Sequence, residues 1–130
     1  MTKNSSIIPL LAAVVATTTS SGTYVGNATK MAIVLAGASI TSGNGVFTFD
    51  VSMDPVGTTS PTWVAYNRMV DNVTNTNAQT DTRIASKTLS SNTSVVLFVP
   101  DADMISLFRT TVTRTTDGAY SAKLLIQTDG

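Results

Sequence analysis

The chain has 130 residues, eight basic and eight acidic, with no histidine and no cysteine. That length supports one domain with one modest core. The missing imidazole and thiol exclude a Ser-His-Asp triad, a disulfide frame and the usual zinc site, and the balanced charge leaves no basic surplus for nucleic acid.

Only 12% of the residues are charged, against about 25% in an average domain. All eight acids are aspartate, and serine and threonine supply 37 residues. Valine, isoleucine and threonine suit a pleated surface, so the composition reads all-β. A low-charge, hydroxyl-rich surface also suits a protein packed against neighbours.

The first element is the apolar stretch "IIPLLAAVVATTT", residues 7–19, behind the polar start "MTKNSS". About ten apolar residues fall short of the roughly 20 that span a bilayer, so no membrane is expected. Lys3, the run 7–16 and small residues at Val14 and Ala16 fit a secretion signal cleaved before Thr17. Pro9 stands near the start of the helix that such a signal needs. The favoured reading is a first strand or arm, residues 1–20, ahead of a sandwich domain over 21–130. Ile7, Ile8, Leu10 and Leu11 are its candidate contact with another subunit, because one small domain has little core to spare for them.

Further on, "TKMAIVLAGASI" puts Met31, Ile33 and Leu35 on one face. In "GVFTFDVSMD", Phe47, Phe49, Val51 and Met53 alternate with Thr48, Asp50 and Ser52, the period of a half-buried strand. "SGNG" at 42–45 is a turn signal, so 25–36 and 45–53 read as neighbours around a hairpin. "DPVGTTSP", 54–61, is a loop, and "TWVAYNRMV" follows with Trp63 and Tyr66 as large packing groups. "DNVTNTNAQTDT", 71–82, reads as a long exposed loop with a short strand near Val73. "RIASKTLS" is a weak strand, "TSVVLFVP" (93–100) a central one, and "DADM" a turn or a single helical turn. "ISLFRTTVTRT" and "AYSAKLLIQT" flank Asp117-Gly118, the strongest hairpin signal in the chain. On the last strand Tyr120, Ala122, Leu124 and Ile126 share one face, with Lys123 and Gln127 on the other. The expected fold is a single antiparallel β-sandwich or jelly roll of about eight strands.

Little of this carries chemistry. Asp101 and Asp103 are two carboxylates in a loop, fewer oxygens than a calcium site needs. No pair of aspartates stands out for acid–base work, and the single glycines make no phosphate loop. Four Asn-x-Ser/Thr sequons, at Asn4, Asn27, Asn72 and Asn92, match what chance gives in so hydroxyl-rich a chain. The reading is therefore no enzyme, no cofactor and no metal. Trp63, Tyr66 and Tyr24 are candidates for an aromatic sugar platform, although a lone Trp on a strand is more often core.

Three stretches carry a resemblance: "LLAAVVATTTSSGTY", "MAIVLAGASITSGNGVFTFDVSMDPVGTTSPTWVAY" and "LFRTTVTRTTDGAYSAKLLIQ". In this order they resemble small β-sandwich virion proteins of tailed bacteriophages, of the capsid decoration or cement kind. The match lies over Leu10–Thr19, Asp54–Trp63 and Arg109–Ile126 and is thinnest over 67–100. The resemblance implies a retained first strand, a place in the virion, and a homo-oligomer whose partners are the major capsid protein or other virion proteins. It implies a non-enzymatic role in stabilising the assembled shell. Alternatives are a tail, neck or fibre component, a carbohydrate-binding or adhesion sandwich, and a secreted protein lacking its first 16 residues.

Overall fold

Alternating strands need a surface that covers every second side chain, and two stacked sheets supply it for each other. The computed structural model describes residues 3–71 and 83–129. Its strands in chain order are β1 (Lys3–Val14), β2 (Thr18–Thr19), β3 (Thr23–Tyr24), β4 (Lys30–Ala38), β5 (Asn44–Ser52) and β6 (Val64–Ala65). They continue with β7 (Met69–Val70), β8 (Arg83–Ile84), β9 (Ser86–Leu89), β10 (Thr93–Val99), β11 (Leu107–Thr115) and β12 (Ala119–Asp129). A 3-10 turn, Ala102–Met104, joins β10 to β11 where "DADM" suggested one.

The first sheet runs β1-β12-β4-β10-β7-β8 and the second β2-β11-β5-β6, with β3 also on β11 and β9 also on β5. Every pairing is antiparallel. The protein is an all-β sandwich. Among the described residues seven strands have four or more residues and five have two, which is how about eight expected strands become twelve.

The alternation holds where it was read. Met31, Ile33 and Leu35 of β4 face Phe47, Phe49 and Val51 of β5 across the core, and Phe108, Leu97, Tyr120 and Leu124 close it. Phe49 and Phe108 are tilted rings 6.3 Å apart. The pattern breaks at the end of β5, where Val51 and Ser52 are both buried and Met53 is exposed.

Two expected hairpins are not hairpins. β4 and β5 lie in different sheets, and so do β11 and β12. A hairpin would leave both apolar faces on one sheet, needing a separate cover. Instead each connection turns the chain over, so the two faces meet as the two halves of the core. The arches lie side by side, since β4 pairs β12 and β5 pairs β11. The two-residue turn of a hairpin needs positive φ at adjacent positions for type I′. Here Thr116 (φ 72°) and Gly118 (φ 104°) are positive and Asp117 between them is not.

Asp117 instead holds the neighbouring arch. Its carboxylate accepts backbone N–H groups from Thr41 (3.2 Å), Ser42 (3.2 Å) and Gly43 (3.0 Å). These hydrogen bonds, that from Ser42 foremost, hold its pKa below the usual carboxylate value, with Arg114 adding to them. A folded-state pKa below the unfolded one gives stability that is present above the unfolded pKa and lost as pH falls through the folded one. Urea unfolding at pH 6 and pH 3 is therefore expected to show a smaller acid loss in Asp117→Asn than in the parent. The variant is also expected to be the less stable of the two at pH 6. Equal acid losses would mean that this carboxylate does not anchor the arch.

At the start of the chain, residues 3–14 form an edge of the first sheet, paired among the described residues to β12 alone. Pro9 is tolerated on such an edge because no second neighbour asks for its missing N–H. Register shifts lie between Pro9 and Leu11 and between Leu11 and Val14. After Val14 the chain passes to the second sheet, where β2 pairs β11. In the loop expected at 71–82, Asp71 binds Lys87 at 2.7 Å, while residues 72–82, Val73 included, lie outside the described residues.

Candidate functional site

The outward side chains of the two sheets differ in kind. On the second sheet Thr48 stands beside Thr111, and the Thr111 hydroxyl meets that of Thr19 at 2.8 Å. Asp50 pairs with Arg109 at 3.1 Å, and the Arg109 guanidinium lies 4.2 Å from the centre of the Trp63 ring. That surface is polar and its charges are matched.

The first sheet is apolar on its outside as well. Cross-strand register sets one row as Ile7, Leu125, Ala32 and Phe98, and the next as Pro9, Lys123, Val34 and Val96. Ile7 is 64% exposed and Phe98 50%. Between these two walls, over the small Ala32 and beside Leu125, lies an open hollow of about 530 Å³ with Lys30 and Gln127 at one end. Strands that are apolar on both faces are ordinarily covered on both, and here the outer face has no covering layer among the described residues.

The four candidate arm residues separate. Ile8 and Leu10 pack partly buried against the core, Leu11 is buried, and Ile7 alone faces outward as a wall of the hollow. Leu10 and Leu11 both turn inward because the register shift after Pro9 interrupts the alternation.

The candidate aromatic pair separates too. Trp63 is half-buried with one ring face under Arg109. Tyr66 is in the core, and a buried ring offers no face to a sugar. Its hydroxyl donates to Asp101 Oδ2 at 2.8 Å, and Arg68 Nε donates to the same oxygen at 2.8 Å. Burial first, and then this hydrogen bond, push the Tyr66 hydroxyl far up from its ordinary pKa. Asp101 is held below the usual carboxylate range, chiefly by the Tyr66 hydrogen bond. An activated phenol needs the opposite shift, so the cluster works as a tie between the segment before β7 and the turn after β10. Asp101 is thus engaged by protein groups, and Asp103 is exposed. No three metal-ligating side chains come together among the described residues.

Sequence reasoning passed over Phe98, Leu125, Ala32 and Val34. The signal was present in "MAIVLAG", "VVLFV" and "KLLI", where apolar residues occupy both parities of the strand. No helix among the described residues is long and apolar enough to cross a membrane. The chain matches no protein-family model, no curated protein and no solved structure.

Proposed function

We propose that this chain is a non-enzymatic structural subunit of a bacteriophage virion, a decoration protein that binds the assembled capsid shell. The observation that carries the reading is the apolar outer face of the first sheet, bounded by Ile7 and Phe98 and covered by no layer among the described residues. An apolar patch of this kind marks an interaction surface. The resemblance of the opening strand, the 54–63 loop and the 109–126 segment to small phage sandwich proteins supports the same reading. So does a surface with few charges, which suits permanent neighbours better than free solution. A subunit that binds the assembled shell and not its separate parts stabilises that shell by mass action.

The test is quantitative mass spectrometry of purified particles made from the genome that encodes the chain. Full-length protein in hundreds of copies per particle is the expected result. A dozen copies or fewer would move the protein to the neck or tail. Absence from particles, with an intact mass lacking residues 1–16, would overturn the proposal in favour of secretion.

A further inference from the structure

A second apolar hollow, of about 430 Å³, lies at the open edge of the second sheet. Its rim is made by Met53 (56% exposed), Val64 on β6, and Met104 (64% exposed) in the 3-10 turn. No residue borders both hollows, and they open on different sides, one on the outer face of the first sheet and one at the edge of the second. They also differ in charge. Apart from Lys3 and Asp129, which face each other in register at one end of β1 and β12, the strands β1, β4, β10 and β12 hold two charged residues, Lys30 and Lys123. Neither lysine makes an ion pair among the described residues. At the second hollow Arg68 is ion-paired with Asp101, on which Arg83 also acts, and Asp103, next to Met104, is exposed with no described partner.

We propose that the occupant of the first hollow is the Met53–Val64–Met104 rim of a second copy of the chain, in a head-to-tail contact. Methionine side chains adapt to irregular apolar hollows, and Asp103 comes with them toward Lys30 at one end of the first hollow. A two-fold pairing of first-sheet faces would bring Lys30 and Lys123 toward their own copies. Heterologous contacts avoid that and close into rings or extend as arrays, the arrangement that a shell-coating subunit needs. The proposal rests on the structural-subunit reading, yet it is tested on the purified chain without any particle.

Sedimentation of the wild-type chain over a concentration series is expected to show oligomers beyond the dimer. Phe98→Ser and Met104→Ser, on opposite partners of one contact, are each expected to weaken association about tenfold or more with unchanged melting curves. Mixing the two variants leaves one intact groove and one intact rim, so the mixture is expected to form dimers and stop there. If either variant melts early, Ile7→Ser or Met53→Ser takes its place. A wild-type chain that stays monomeric up to about 100 µM would overturn the proposal, as would an association that neither variant weakens. A dimer that Phe98→Ser abolishes and Met104→Ser leaves intact would show a two-fold contact and overturn it as well. A monomeric chain that still coats particles would sink this contact and leave the virion reading standing.

Discussion

Tyr120→Ala is expected to cost about 3–5 kcal/mol of stability, the range for truncating a fully buried aromatic side chain. The Tyr120 ring has no solvent exposure and meets Phe47 edge-on at 6.1 Å. It is seated against backbone as much as against side chains. A Cβ placed on Gly45 would come within 2.5 Å of the ring, and one on Gly118 would strike its hydroxyl. Glycines at 45 and 118 thus make room for a ring that plugs the end of the core beneath both arches. Neighbouring glycines cannot collapse into the space that alanine leaves, which places the loss toward the upper part of the range. Tyr120→Phe removes only the hydrogen bond to the Asp117 carbonyl at 3.0 Å, for about 1 kcal/mol. Urea unfolding of the three proteins checks both figures. A loss under about 1 kcal/mol for Tyr120→Ala would mean that the ring does not hold the arches together.

Gly43→Ala is expected to cost about 3 kcal/mol, the high end for overpacking. Gly43 is buried where the two arches touch. A Cβ there would run into the Thr115 carbonyl oxygen and stand 2.6 Å from the Asp117 amide nitrogen. Both are backbone atoms of the adjoining connection, so no side-chain rotation relieves the clash. The arches must separate, and the carboxylate of Asp117 then loses its three donors. Gly57→Ala is the matching control. Gly57 has φ 88° but nothing within 4 Å of the added methyl, so it is expected to lose about 1 kcal/mol from backbone strain alone. Parallel thermal melts decide the matter, and equal losses at the two glycines would contradict the contact described between the arches.

These two sites show what a single sequence discloses. The inward residues of β4, β5 and β12 were legible because burial of alternate side chains leaves a local, two-residue period. Which sheet each strand joins was not legible, since the same period serves a hairpin and an arch. Asp117-Gly118 is the clearest case. Its local chemistry marks a turn, but what the turn does depends on Thr41, Ser42 and Gly43, more than 70 positions away. At the candidate site, apolarity marked Ile7, Ile8, Leu10 and Leu11 as one group, and the pleat and one register shift divide it. The outer face of the first sheet escaped notice because Leu125 sits on the side of the last strand assigned to Lys123 and Gln127, and the apolar run 93–100, read as a central strand, was not joined to Val34 and Leu125 as one surface.

The position of β12 also governs the order in which the molecule can be made. It lies between β1 and β4, so among the described residues β1 has no hydrogen-bonding neighbour until β12 arrives. Lys3 waits for Asp129 and Val14 for Tyr120. More than 100 residues must leave the ribosome in between, roughly 5–20 s of translation at ordinary rates. Throughout that interval Ile7, Ile8, Leu10 and Leu11 travel as an unpaired apolar ribbon. The second sheet gains its central β5–β11 pair sooner, and β1 joins the first sheet only when β12 emerges.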